Sequence, residues 1–128
     1  KGQIRLGHDD QIGGVATSGW RGRSHSFGIA DSVTVLAKNA ADADVAATLI
    51  ANAISVSSPV ILRQPANELA PDSDLQDRLV TVAVGFLTDD EIYRALAAGS
   101  SLATAMHEEG QIAAVYARLQ ERSFMIGP

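Results

Sequence analysis

The 128 residues contain no cysteine, which removes disulfides, thiolate zinc sites and cysteine nucleophiles from consideration. Basic residues are outnumbered, ten against fifteen acidic, for a net charge of −5; this argues against a dedicated nucleic-acid binder, which carries a basic face. The longest apolar runs fall far short of the ~20 residues a membrane helix needs. No internal repeat or low-complexity tract interrupts the chain. It opens at Lys1 with no initiator Met and no signal-peptide pattern, which predicts a processed or partial product.

What is present is an ordinary globular composition. Hydrophobic residues make up 46% and charged residues 20%, enough for a single domain that buries roughly two thirds of its unfolded surface. Charge is unevenly spread: residues 1–38 carry a balance of +2 and the rest −7. An anion is therefore better sought in the front third.

Hydrophobic periodicity sets out the elements. Gln3–Leu6 predicts a short strand, with a turn at His8–Asp10. Residues 13–28, rich in glycine, read as a loop. Ser32–Ala37 and Leu79–Val84 are β-branched and compact, and predict buried strands. Between them a helix from the Asn39 cap to about Ile54 sets Val45, Leu49 and Ala53 beside Ala46, Ile50 and Ile54 on an apolar face. Val60–Leu62 predicts a strand and residues 64–77 a loop. Thr88 and Glu91 form a capping box opening a helix with Ile92, Tyr93 and Leu96 buried, ended by Gly99. Ser101 caps a further helix through Glu109. Residues 112–122 fit both periods; unbroken alternation after Gly110 favours a strand. The apolar tail Phe124–Ile126 calls for cover or is a loose terminus. Strands and helices without regular βαβ repetition mean α+β.

Three groups of residues could carry chemistry. Ala16–Ser24 joins glycines, hydroxyls and two arginines, either as a phosphate or carboxylate cradle or as a glycine-rich turn with solvated arginines. The Walker spacing is absent. Asp44, Thr48 and Asn52 recur at every fourth position, a stripe in which Asp44 and Thr48 could ligate a hard cation such as magnesium, or a solvated helix face. His8, His25 and His107 lack metal-pair spacing; His25, beside the arginines, could serve as a general base or stand as a surface histidine. Asp72, Ser73, Asp74 and Asp77 lack the remainder of a calcium loop.

Gly14–Gly19, Gly28–Ala37, Ala43–Thr48 and Ala66–Leu75, in that order and spacing, resemble the flavin-transferase superfamily named for ApbE, formerly described as thiamine-biosynthesis lipoproteins, and within it an uncharacterised cytosolic branch. The similarity spans nearly the whole chain. It implies a cytoplasmic protein with the α+β ApbE-like fold, a mixed sheet with helices packed on it. These residues would form a single domain, the C-terminal half of a longer protein, completed by a companion N-terminal segment or by a second copy.

The resemblance also implies a phosphorylated small molecule as ligand or substrate, such as the flavin nucleotides FAD or FMN, with a divalent cation, Mg2+, at Asp44 and Thr48. It places Thr17, Ser18 and Gly19, with Arg21 and Arg23, at the nucleotide. If the chain is an enzyme, phosphoester transfer follows, with His25 taking the acceptor's proton. The family's His and Asp-Pro-x-Thr-Gly segment is replaced here by Ser24–Asp31, so the place of His25 as catalytic residue is open. The alternative is a binding or assembly module that keeps the fold without the chemistry. Neither a nucleic acid nor a membrane is expected as partner.

Overall fold

The computed structural model describes residues 12–22 and 26–127. The strand expected at Gln3–Leu6 lies outside them, as do His8, Arg23 and His25. In chain order the elements are β1 (Gly14–Ser18), β2 (Ser32–Ala37), α1 (Ala40–Ala53), β3 (Ile61–Pro65), α2 (Ala66–Leu69), β4 (Leu79–Val84), α3 (Asp89–Glu108), β5 (Ala114–Leu119) and β6 (Arg122–Ile126). The α+β class expected from the sequence is the one observed. Every described strand pair is antiparallel, so the expectation of a mixed sheet is corrected.

Four strands form the main sheet in the order β1-β2-β5-β6, while β3 and β4 make a separate two-stranded ribbon. Alternation decides which side is covered. Val33, Val35 and Ala37 of β2 point the same way as Val115, Ala117 and Leu119 of β5, and all are buried against α1 and α3. The opposite face carries Val15, Thr34, Tyr116 and Met125, together with Leu36 and Ala114, which are buried, and no described helix covers it. Antiparallel sheets tolerate this, because one face can stay wet.

The helix α1 starts as its cap predicts: Asn39 Oδ1 accepts from the Asp42 N–H at 2.8 Å. Its buried side is narrower than periodicity suggested. Ala43, Ala46, Ala47, Ile50 and Ala51 are buried, whereas Val45 and Leu49 are exposed. Alanines let the helix axis come close to the sheet, and the bulkier residues at 45 and 49 fall on its flank.

The helix α3 opens on the expected capping box, with Glu91 N–H donating to Thr88 Oγ1 at 3.1 Å and Thr88 N–H to Glu91 Oε1 at 2.9 Å. It does not end at Gly99. It runs unbroken to Glu108, so two expected helices are one and Ser101 caps nothing. The missing Cβ at Gly99 accommodates Ile54, whose side chain occupies the space a Cβ would take. Glycine here serves helix packing rather than helix termination. Ile92 is buried as expected, but Tyr93, expected in the same stripe, is 72% exposed; Ala95, Ala103 and Met106 complete the buried side.

Three further readings change. The glycine-rich stretch contains β1, since Gly14 and Gly19 let backbone pass close to Asn39 and Asp31. The loop of 64–77 includes the short α2. The alternating tail is a strand, β5, as favoured, and the apolar end becomes its hairpin partner β6. Phe124 and Ile126 pack into the chain's own core, leaving Met125 on the open face at 62% exposure.

Candidate functional site

The sequence joins Thr17, Ser18, Gly19 and Arg21 in one cradle, but the strand separates them. Successive residues of a strand point to opposite faces, so the Thr17 and Ser18 side chains stand on different sides of the sheet. The Thr17 hydroxyl sits on the open face, hydrogen-bonded to the Thr34 hydroxyl at 3.0 Å. Ser18 stands on the helix side, half-buried, and Gly19 is buried against the Asp31 carbonyl. The chain then turns, with Gly22 N–H donating to Gly19 O at 3.1 Å. This turn presents Arg21, whose guanidinium lies 4.9 Å from the Trp20 ring centroid.

Arg21 is the member of that set which reaches a cleft. About 900 Å³ of open space lies at the end of the sheet where β1 finishes and β2 begins, walled by the segment after β4, the start of α3 and the β5–β6 turn. Arg118 and Arg122, from either side of that turn, share it with Arg21. The carboxylates of Asp31, Asp89 and Glu121 are also there. Ion pairing is loose: Arg21 to Asp31 and Arg122 to Asp89 both measure 3.9 Å. Arg118 donates through Nε to the Gln120 carbonyl at 3.0 Å. Among the described residues most guanidinium donors therefore have no partner, and a guanidinium meets phosphate or carboxylate bidentately.

Gln120 organises the walls. It is the first residue of a two-residue turn and has a φ of 53°, a left-handed conformation uncommon for a residue with a side chain. Its N–H donates to Asp31 Oδ2 at 2.7 Å, its Nε2 donates to the Gly85 carbonyl at 2.8 Å, and its Oε1 accepts from the Leu87 N–H at 3.2 Å. Phe86, between those last two anchors, is 97% exposed at the cleft rim.

The second candidate group stays apart. Asp44 and Thr48 are both exposed, one turn apart on α1. Gly14, at the start of β1, packs on Asn39 and Ala40 at the head of that helix, whereas the cleft opens past the end of β1. Neither Asp44 nor Thr48 lines it. Asn52, last of the stripe, is committed elsewhere, its Oδ1 accepting from the Ser26 hydroxyl at 3.1 Å and the Phe27 N–H at 3.0 Å. Among the described residues no group of three His, Cys, Asp or Glu side chains could hold a metal ion. His25 and Arg23 lie outside the described residues.

Arg118, Arg122, Asp31, Gln120 and Phe86 were not singled out from the sequence. One signal was available: Arg118 and Arg122 flank the turn that closes the alternating tail, at adjacent ends of paired strands. Nothing in the linear order tied them to Arg21.

A family model described as "AbpE bacteria" matches residues 1–125. The chain belongs to that family. Two curated relatives carry the name UPF0280 protein. That of Methanopyrus kandleri is 39% identical over 88 residues, covering 67% of this chain and 36% of its own length. That of Methanothermobacter thermautotrophicus is 47% identical over 73 residues, covering 56% of this chain and 28% of its own. The chain thus spans about a third of the length of these curated relatives. Neither name states an activity, and no solved structure matches. No helix among the described residues is long and apolar enough to cross a membrane.

Proposed function

We propose that this AbpE-family chain binds a small phosphorylated molecule in the cleft at the end of its sheet, with Arg21, Arg118 and Arg122 receiving the phosphate. One observation carries the reading: Arg21, marked by sequence as an anion residue, stands in a cleft of about 900 Å³ with Arg122, which like it is only loosely paired, and with Arg118, which is held through Nε by the Gln120 carbonyl. The ApbE-like family name and the resemblance of the motifs favour a flavin nucleotide as that molecule.

Magnesium fits at Asp44 and Thr48 to a limited degree. The pair offers one carboxylate and one hydroxyl, and magnesium usually retains several waters beside one or two protein carboxylates. When bound there, it would supply positive charge for a phosphate on the open flank of α1. Because that pair does not line the arginine cleft, binding is the reading the geometry supports best. Phosphoester transfer, as in the flavin transferases, would need a ligand long enough to meet the cleft and the metal pair, with His25 at the acceptor.

Calorimetric titration with inorganic pyrophosphate and with flavin mononucleotide tests the proposal. Saturable binding that weakens with added salt is expected, because guanidinium–phosphate contacts near the surface are screened. Absence of such binding for both would refute it.

A further inference from the structure

We infer that Gln120 is the positioning residue of this cleft, and that it acts by holding Phe86 outward as a platform for an aromatic ring. The inference rests on the cleft reading above and adds which residues select the ligand.

Four polar groups of Gln120 are committed: its N–H to Asp31, its carbonyl to Arg118, and the two ends of its side-chain amide to Gly85 and Leu87. The amide pairs with one residue on each side of Phe86, as a neighbouring strand would. Backbone held at both 85 and 87 leaves residue 86 little freedom to turn inward. Its ring stays at the rim with 97% of its surface exposed, in a chain where Phe27 and Phe124 are both partly covered.

The same residue fixes both poles of the site. Its carbonyl anchors Arg118 among the arginines, and its side chain anchors the backbone on both sides of Phe86 at the rim. Left-handed backbone at residue 120 aims the carbonyl and the amide at these separate partners. A ligand that uses both poles is an anion carrying a planar ring. Bare phosphate would use one pole alone.

The test compares phenyl phosphate with inorganic phosphate by calorimetry on the whole chain. Wild-type protein is expected to prefer phenyl phosphate by roughly tenfold, the scale of one stacked aromatic pair. Phe86→Ala should abolish the preference and leave inorganic phosphate unchanged. Gln120→Gly suits the left-handed backbone and so should fold; it should lose the preference, and exchange of the Leu87 amide proton should quicken. Gln120→Asn tolerates the same backbone but is one methylene short of spanning Gly85 and Leu87, so it should behave like the glycine variant, which keeps the test valid if that variant folds poorly. A preference that survives in Gln120→Gly or Gln120→Asn, or an unchanged Leu87 amide, overturns the role of Gln120 while leaving the cleft reading intact. Failure of the wild type to bind either compound overturns the cleft reading itself.

Discussion

An arginine whose carboxylate neighbour stands 3.9 Å away keeps most of its five donors for another partner, and Arg21 and Arg122 are both in that position. Exposed pairs of this kind contribute about 0–1 kcal/mol to folding. Replacing Arg21 and Arg118 by Gln should therefore leave the melting temperature within a few degrees of wild type. Pyrophosphate affinity should fall by at least about tenfold, since two charge-assisted hydrogen-bond sites are lost. A sharp drop in melting temperature with binding intact would make the arginines structural. Asp44→Asn keeps the size of an exposed side chain and removes its charge. It should lower magnesium affinity in calorimetry without changing stability, and a parent that binds no magnesium would remove Asp44 and Thr48 from the site. Arg21 was legible as an anion residue because glycines and hydroxyls surround it. Thr17 and Ser18 looked equally suited, and only the strand shows that their side chains turn to opposite faces. Arg118 and Phe86 were invisible, because a rim built from a hairpin turn and an interstrand segment leaves no local pattern.

At the scale of elements, capping chemistry was fully readable and glycine was not. Thr88 and Glu91 are three apart, and their reciprocal hydrogen bonds follow from that spacing alone. Gly99 reads as a stop until Ile54, forty-five positions earlier, is seen to occupy its empty side. Gly99→Ala would gain helix propensity of roughly 1 kcal/mol but forces a methyl into a packed side chain, which typically costs about 1–3 kcal/mol. Net destabilisation is expected in chemical denaturation; a more stable variant would show that Ile54 moves aside freely. Glu91 adds a pH signature. The Thr88 backbone N–H, and secondarily the Ser58 hydroxyl, hold its carboxyl below the ordinary 4.5. Its contribution is complete above the unfolded value and fades as pH falls through the lower folded one. Melting curves recorded from pH 6 downward should show a loss of stability below about 4.5 that is smaller in Glu91→Gln, which retains the acceptor but cannot titrate. Equal slopes in the two proteins would mean that this carboxylate does not report on α3.

Taken whole, the molecule has two unequal sides. Helices α1 and α3 cover one face of the main sheet, and the other carries Val15, Tyr116 and Met125 with Arg118 as the charged residue among its outward side chains. The α+β class was legible from strand and helix periodicity. The order β1-β2-β5-β6 was not, because it depends on which strands meet after long excursions of the chain. That order has a kinetic consequence. At the centre of the sheet Val33 pairs with Ala117, so forming the β2–β5 pair closes a loop of about 80 residues containing both long helices and the β3–β4 ribbon. Loop-closure entropy must be met before such a distant pairing returns any contact energy. The β5–β6 and β3–β4 hairpins and the helices can form in microseconds, yet none can complete the core without the central pair. Refolding should therefore take milliseconds or longer. Trp20, the single tryptophan, donates its backbone N–H to the Ala30 carbonyl beside the start of β2, so its fluorescence in a stopped-flow experiment should change with the slow event. A tryptophan signal complete within microseconds would mean that β2 finds β5 already at hand in the unfolded chain.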